Sequence, residues 1–428
     1  MTADTRRDFL KATSAGMTTS LFTGQVRGAN DRQRIAHIGM GRMGRSNLNI
    51  SMKQENVEIA AVCDVYQPHL DQAVTLAEGK AKGVRDFREI LASRDIDIVC
   101  ISTPDHWHAY MTVEACKAGK DVYVEKPISV TVEEGVKMVQ AARKYNRVVQ
   151  AGTMQRSGVH FQKACQIVGS GEIGKVTFVR TWNYGNNSEQ GIGNPPDADP
   201  PAELDWDMWL GPAPKRAFNA NRFGVDPKAF SHFRWFWDYA GGMMTDWGVH
   251  WLDIVQMAFE EAMPVSVTAL GGKFRLDDNR ETPDTLQVCY EYPGFLCTYE
   301  NRSGNEQSMF GKGGGILFHG DKGTLFVDRG EYWLLPEKGS TLEESTVKSS
   351  NNSNMSHWAN FLECVRTRRK PISDIETCQR STTTCLLGNV ALRAKLRVDW
   401  DAQKWTTAQG EARRWLSRKE RAPWKVVV

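Results

Sequence analysis

The chain has 428 residues, 54 lysines and arginines against 51 aspartates and glutamates, and a formal net charge of +3. That length suits two domains, and the near-balance of charge speaks against a nucleic-acid or acidic-surface partner. The nine cysteines are scattered, odd in number and without a C-x-x-C pair. Buried thiols are therefore expected, with Cys63 and Cys100 in predicted core strands.

Residues 1–30 read as an export signal. Thr5-Arg6-Arg7-Asp8-Phe9-Leu10-Lys11 matches the twin-arginine pattern S/T-R-R-x-F-L-K at every position. Ala12 to Phe22 is only mildly apolar, too short and too polar to span a bilayer. Cleavage is expected between Gly24 and Asn30, and no later stretch reaches transmembrane length. The protein is therefore expected in the periplasm, or otherwise exported, with no membrane anchor.

Residues 31–154 read as a nucleotide-binding domain. Arg34 to Ile38 is a predicted strand, followed at once by Gly39-Met40-Gly41-Arg42-Met43-Gly44 and a helical stretch from Arg45 to Met52. In G-x-G-x-x-G the first glycine permits a tight turn, the second lets the backbone approach a pyrophosphate, and the third allows close helix–strand packing. The helix N-terminus adds unpaired N–H groups and a partial positive charge. Arg42 and Met43, between the second and third glycines, join Gly39, Gly41 and Gly44 as cofactor-binding candidates.

The strand Val57 to Cys63 ends at Asp64, about twenty residues past the last glycine, as the dinucleotide fingerprint requires. A carboxylate there accepts hydrogen bonds from ribose hydroxyls and repels a 2′-phosphate, which favours NAD over NADP. Ile96 to Ser102, nearly all apolar, suits a buried parallel strand. Thr103-Pro104-Asp105-His106-Trp107-His108 follows as a strand-end loop, with Thr103, Pro104, Trp107 and His108 as candidates for the cofactor wall, and a helix from about Ala109 to Ala118 comes next. Strand Asp121 to Val124 delivers Glu125-Lys126-Pro127 to its carboxyl end, where open α/β sheets bind ligands. Glu125 and Lys126 are placed at the cofactor, and Lys126 also at the chemistry. A helix from about Val132 to Tyr145 and a strand Val148 to Gly152 complete a doubly wound parallel sheet.

A second, α+β domain is expected over residues 155–356. It opens with the alternating strand Val176 to Tyr184, an irregular insertion from Gly185 to about Ala202, and Leu204-Asp205-Trp206-Asp207-Met208-Trp209-Leu210-Gly211-Pro212. Phe233-Arg234-Trp235-Phe236-Trp237-Asp238-Tyr239 either lines a carbohydrate subsite or packs a core and an oligomer interface. Arg156, Tyr184, His232 and Arg234 are candidate substrate contacts. Asp246 and His250, four apart, share one helical face, and Asp253 joins it. A carboxylate one turn away would hold the histidine in one tautomer and tune it toward neutral pH. No clustered ligands support a metal there. Further strands are expected in Val265–Phe274, Thr285–Tyr292, Leu296–Asn301 and Ile316–Val327, with turns at Pro293-Gly294 and Asp321-Lys322-Gly323. Lys312-Gly313-Gly314-Gly315 reads as a flexible turn. In residues 357–428, helices His357 to Arg368 and Thr377 to Leu396 are expected to return over the first domain.

Three motifs in order, Gly39 to Gly44, Glu125-Lys126-Pro127 and Asp246-Trp247-Gly248-Val249-His250-Trp251-Leu252-Asp253, resemble the glucose–fructose oxidoreductase, inositol dehydrogenase and rhizopine-catabolism family (Gfo/Idh/MocA). The resemblance covers about residues 33 to 400, and the Leu204–Pro212 segment resembles its exported bacterial branch. It implies a Rossmann domain followed by a domain with a large open, mainly antiparallel sheet that supports a homo-oligomer, dimer or tetramer. It also implies an active site of Lys126, Asp246 and His250, acting on a sugar or cyclic polyol. His250 would take the hydroxyl proton while a hydride leaves for the nicotinamide, and Lys126 would hold the hydroxyl and the developing alkoxide, with either of the two open as the immediate base.

The twin-arginine route carries folded cargo, and there is little free NAD outside the cytoplasm, so the cofactor should be loaded before export and held tightly. Some relatives that this chain resembles are NAD-dependent glycosidases, which oxidise a sugar only transiently. An oxidoreductase is the leading expectation, a glycosidase or lyase without net redox the second, and a non-catalytic dinucleotide- or sugar-binding protein the third.

Overall fold

The computed structural model describes residues 32–187, 191–223 and 232–428. The twin-arginine segment and its cleavage region lie outside the described residues. Among the described residues no helix is long and apolar enough to cross a membrane.

The first sheet has strands β1 (Gln33–Ile38), β2 (Val57–Cys63), β3 (Lys82–Val84), β4 (Ile98–Ile101), β5 (Asp121–Val124) and β6 (Val149–Ala151), all parallel, in the order β3-β2-β1-β4-β5-β6. The order reverses between β1 and β4, and the crevice outside their carboxyl ends is where such sheets take ligands. β4, β5 and β6 are buried along their whole length. They can be, because helices cover both faces, and that is why they read as apolar runs rather than alternating ones. The helices here are α1 (Arg42–Ser51), α2 (Gln67–Leu76), α3 (Phe87–Ala92), α4 (Asp105–Lys117) and α5 (Val132–Lys144).

Residues 105–108, expected in a loop, form the first turn of α4. Pro104 is the last extended residue, with ψ of 151°. Asp105 then supplies a carboxylate that favours the helix N-terminus. Trp107, His106 and His108 are consequently packed into the fold and not displayed on a loop.

Helix α6 (Val159–Gly169) leads into the second sheet, which is ten-stranded. Nine strands run in the order Ser345–Lys348, Glu331–Pro336, Gly323–Val327, Gly314–Gly320, Val176–Asn186, Phe295–Arg302, Thr285–Tyr292, Ser266–Gly272, Val398–Asp399, and the tenth, Gly304–Asn305, pairs with Val176–Asn186 off that path. Only the central pair, Val176–Asn186 with Phe295–Arg302, is parallel. The Ile316–Val327 segment is two strands of a hairpin around Asp321-Lys322. Gly314 and Gly315 belong to the first of these and are not a flexible turn. A side chain at Gly315 would come within 2.5 Å of the Phe326 ring, so glycine there lets the hairpin close on its own aromatic. Lys312 is likewise tied down, with its ammonium 3.0 Å from Asp328 and 2.7 Å from Glu331.

Helices α7 (Gly242–Asp246) and α8 (Gly248–Ala258) pack on the inner face of this sheet. Helix α9 (Ser353–Thr367) covers the first sheet, where Trp358 stacks on Tyr123 with ring centroids 4.5 Å apart. Helix α10 (Ile375–Ala394) packs against both domains, through α5 on one side and α8 on the other. All nine cysteines are free thiols, and only Cys289 is not buried.

Arg156 and Asp253 explain part of this joint. The guanidinium Nε lies 2.8 Å from Asp253 Oδ2, Nη1 lies 2.7 Å from Glu261, and both Arg156 and Asp253 are almost wholly inaccessible. Neither is available to a substrate, which corrects the reading of Arg156 as a contact and of Asp253 as a third group on the catalytic face. Burying one charge without its partner is far more costly than burying the pair. Replacing Arg156 by Leu should therefore lower stability by about 3–5 kcal/mol, and adding Asp253→Asn should recover part of the loss. A denaturation series in which the single variant is as stable as the parent would contradict this.

Candidate active site

The glycine loop leaves β1 at the switch point of the first sheet. Gly39 has φ of +85°, and a Cβ there would lie 2.7 Å from the Thr103 nitrogen. A Cβ on Gly44 would meet the Gly39 carbonyl oxygen at 1.8 Å, so the third glycine sits behind the loop and permits its closure. Gly41 is different. Its φ of −61° suits any residue, and a Cβ there would touch nothing within 4 Å. The protein itself does not need glycine at 41, so the space above it fits an absent ligand that approaches the backbone. Helix α1 starts at Arg42, three residues earlier than expected, and its N-terminus has no side-chain cap. Arg42 and Met43 thus lie in the first turn beside open N–H groups, which suits a pyrophosphate.

Asp64 ends β2 as expected, and its carboxylate also braces the loop. It accepts from the Met40 N–H at 2.6 Å and the Tyr66 N–H at 2.9 Å, with His69 Nδ1 3.6 Å away. His69 and Phe223 close the wall of the cleft beside it. The sequence carried no signal for either, because Phe223 comes from the second domain.

Along the cleft lie Ser102, Thr103, Pro104, Asp105, Trp107, His108, Glu125 and Lys126 from the first domain. Several of these brace the wall. Trp107 donates to the Trp209 carbonyl at 2.9 Å. The His108 ring nitrogens lie 2.7 and 2.9 Å from the carbonyls of Pro127 and Thr103, and burial lowers its pKa to about 4. Glu125 accepts from Asn47 at 2.9 Å and from the Lys126 N–H at 3.2 Å, and burial raises its pKa.

Lys126 reaches across to the second domain. Its ammonium donates to the Asp246 carbonyl at 2.7 Å and to Asp246 Oδ1 at 2.8 Å. The other carboxylate oxygen lies 3.3 Å from Arg234 Nε. Burial works to raise the Asp246 pKa, but Arg234 and Lys126 outweigh it and hold the group at about 2. Asp246 is thus an obligate anion serving two cations.

His250 lines the same cleft, but not as the motif spacing suggested. Asp246 ends α7, Trp247 interrupts the helix with φ of −105° and ψ of −37°, and α8 begins at Gly248. The Asp246 side chain turns to Lys126 and Arg234, and His250 Nδ1 is buried with no hydrogen-bond partner among the described residues. Burial, then Lys126 and Arg329, push the His250 pKa well below its ordinary value. The imidazole is therefore kept neutral by burial first, with Lys126 and Arg329 adding to the effect, and is not tuned by a carboxylate. A neutral imidazole can accept a proton.

The cleft also gathers Asp105, Trp247 and Arg329, which sequence reading did not single out. Burial raises the Asp105 pKa to about 7, against the opposing pull of Arg234 and Lys126. Of the four candidate substrate contacts only Arg234 lines the cleft. Tyr184 lies under the Arg302 guanidinium, 3.6 Å from its ring centre, and His232 Nδ1 lies 3.2 Å from Asn221 Oδ1.

A parallel sheet with a glycine loop at its switch point, joined through a shared cleft to an open mixed sheet, defines a two-domain dinucleotide-binding oxidoreductase fold. Two family models match its two parts: the oxidoreductase family NAD-binding Rossmann fold over residues 33–153 and the oxidoreductase family C-terminal alpha/beta domain over residues 173–426. The chain belongs to the Gfo/Idh/MocA oxidoreductase family.

Among curated relatives, a glycosyl hydrolase family 109 protein of Shewanella baltica is 38% identical over 122 residues, 27% of each chain. An inositol 2-dehydrogenase of Salmonella typhimurium is 30% identical over 149 residues, 34% of this chain and 44% of that one. The chain thus spans less than half the length of the curated relatives it matches. Among solved structures, the aldose-aldose oxidoreductase from Caulobacter crescentus complexed with glycerol superposes with a TM-score of 0.66 at 21% identity, covering 86% of this chain and all of that one. The WlbA dehydrogenase from Bordetella pertussis, in complex with NADH and UDP-GlcNAcA, gives 0.65 at 17% identity over 86% and 99%.

The two glycines separate ligand binding from folding. Gly41→Ala should keep the parent melting temperature while weakening dinucleotide binding by about tenfold or more, whereas Gly44→Ala should lose both. Calorimetry with added NAD distinguishes them, and an unstable Gly41→Ala would count against an open cradle. Asp105 gives a pH signature. With its folded pKa raised from 3.8 to about 7, its neutral form is lost as pH rises through that value. Asp105→Asn should therefore gain stability relative to the parent progressively from about pH 4 to about pH 7, then hold a constant advantage on the order of a few kcal/mol. Thermal midpoints that keep a constant difference across that window would show that Asp105 is not held neutral.

Proposed function

We propose that this protein is an exported, NAD-dependent oxidoreductase that moves a hydride between a hydroxyl of a sugar or cyclic polyol and a nicotinamide cofactor that stays bound. One observation carries this reading: the dinucleotide cradle and the Lys126–Asp246–His250 group lie in one continuous cleft. The glycine loop, Arg42, Met43 and the α1 N-terminus would hold the pyrophosphate, and Asp64 would hold the ribose hydroxyls and disfavour a 2′-phosphate. The nicotinamide, when bound, supplies the hydride acceptor.

The protein side is acid–base chemistry. Lys126, fixed by two hydrogen bonds to Asp246, presents its remaining N–H to the substrate hydroxyl and stabilises negative charge as it develops there. His250, held neutral, accepts the hydroxyl proton. Asp246 orients the ammonium and takes no proton itself, consistent with its pKa of about 2. The relatives support a polyhydroxy substrate, since their names include an inositol dehydrogenase and their bound ligands include glycerol and UDP-GlcNAcA. The twin-arginine motif, Thr5 to Lys11, supports export.

A redox-neutral glycosidase is the second reading, favoured by the family 109 relatives and by the way the cofactor side of the cleft is covered. Leu204 bridges to Tyr66, the Asp205 N–H donates to the Val65 carbonyl, and Phe223 packs edge-on to Tyr66 at 5.2 Å. The C-terminal segment fastens this cover, with Arg421 donating to the Gly211 carbonyl at 2.7 Å. A cofactor under such a cover exchanges slowly and is best regenerated in place.

The test uses purified protein with its cofactor. Lasting absorbance of reduced nicotinamide on adding a sugar or polyol supports the oxidoreductase, and aglycone release without lasting reduction supports the glycosidase. Protein that releases no dinucleotide on denaturation and binds none when it is added would refute both. Lys126→Ala should still carry dinucleotide while turnover falls by about 100- to 1,000-fold; unchanged turnover would remove Lys126 from the mechanism.

A further inference from the structure

We propose that the substrate carries an anionic group, and that Arg329 is the residue that receives it, so that the cleft selects acidic sugars over neutral ones. This rests on the sugar-oxidoreductase reading and adds the class of sugar.

The cations and anions of the substrate end do not balance. Among the described residues Lys126, Arg234 and Arg329 line the cleft beside His250, and of the carboxylates Asp246 is held far below neutrality while burial raises Glu125. Asp105, at about 7, is only partly ionised at neutral pH. Lys126 and Arg234 both use Asp246. Arg329 has no such partner. Among the described residues its hydrogen bond is to an amide, Nε to Gln155 Oε1 at 3.0 Å, and it makes no ion pair.

Arg329 is nevertheless positioned. Its guanidinium stands 4.5 Å from the centre of the Trp247 ring. Gln155, which accepts from it, donates to the His250 carbonyl at 3.0 Å. The Trp247 ring lies edge-on to the His250 ring with centroids 5.7 Å apart. The guanidinium is therefore tied, through one amide and one indole, to the residue that handles the hydroxyl proton. Stacking on Trp247 and use of Nε alone leave the Nη edge of the fork for a ligand, and a planar fork matches a carboxylate or phosphate in two parallel hydrogen bonds. Arg329 is solvent-exposed, but its stacking on Trp247 and its bond to Gln155 fix it at the cleft wall, where its charge selects what enters.

Holoprotein would be presented with matched sets: glucose, glucuronate and glucose 6-phosphate, and the corresponding galactose and mannose series. Reduction of the bound cofactor and competition binding would be read for each. The acidic member should act or bind about 10- to 100-fold better than its neutral counterpart, with KM rising with salt for the acid only. The arms also separate a carboxylate from a phosphate. Arg329→Gln should erase the preference by raising KM for the acid about 10- to 100-fold more than for the neutral sugar, whatever change in kcat the two share. Arg329→Lys, which keeps the charge without the fork, should retain part of it, and covers the case in which the glutamine variant folds poorly. Equal use of neutral and acidic members, or a preference unchanged in Arg329→Gln, would overturn the inference and leave the oxidoreductase reading intact. No reduction and no binding by any member would overturn both.

Discussion

The ion pair between Lys126 and Asp246 joins the two halves of this protein where the chemistry is proposed to occur. One partner stands at the carboxyl end of a parallel strand and the other at the end of a short helix on the inner face of the second sheet, 120 positions along the chain. Both groups are largely shielded, so each needs the other: either charge alone in that place would be strongly unfavourable. Arg234 gives Asp246 a second cation, which is why the carboxylate stays ionised despite burial. The relative position of the domains, the direction of the lysine and the state of the nearby histidine all depend on this cluster.

The same electrostatics decides what the cleft can do. His250 is packed away from water with Lys126 and Arg329 nearby, so its imidazole is neutral, and in the proposed chemistry it takes up a proton only as negative charge develops on the substrate. Lys126 cannot serve as the base while it is an ammonium donating to Asp246, and its charge is better matched to the alkoxide. The second domain contributes more than catalytic groups. Its 204–223 segment lies over the β2–α2 junction, and the C-terminal segment pins it through Arg421 while Arg418 holds that C-terminal segment to the first domain, donating to Glu134 at 2.7 Å and to the His106 carbonyl at 2.9 Å. A cover fastened to both domains suits a cofactor that is not exchanged at each turnover.

Much of the nucleotide-binding half was legible from local pattern. Buried parallel strands announce themselves as apolar runs, and the spacing of the loop glycines picks out Gly39 and Gly44, whose Cβ would clash, together with Gly41, which leaves room for a ligand. The second half was harder to read. Asp246 and His250 were expected to pair on one helix, yet the helix breaks at Trp247 and the carboxylate finds stronger partners in Lys126 and Arg234. Arg156 and Asp253 looked functional as isolated polar residues, but they neutralise each other inside the joint between domains. Lys312-Gly313-Gly314-Gly315 looked flexible because composition cannot show that Phe326 fills the space Gly315 leaves.

The sequence by itself determined the local chemistry: the glycine loop, Asp64 at a strand end, Lys126 at another, and the residue types of the third motif. These follow from backbone sterics and strand periodicity, which act over a few residues. Only the tertiary structure decided which charges meet. Arg234, Asp105 and Arg329 come from three separate segments, and their importance lies in distance and desolvation, quantities set by packing between residues far apart in the chain. For that reason Lys126 could be found from its neighbours in sequence, while the excess of positive charge around it could be found only from its neighbours in space.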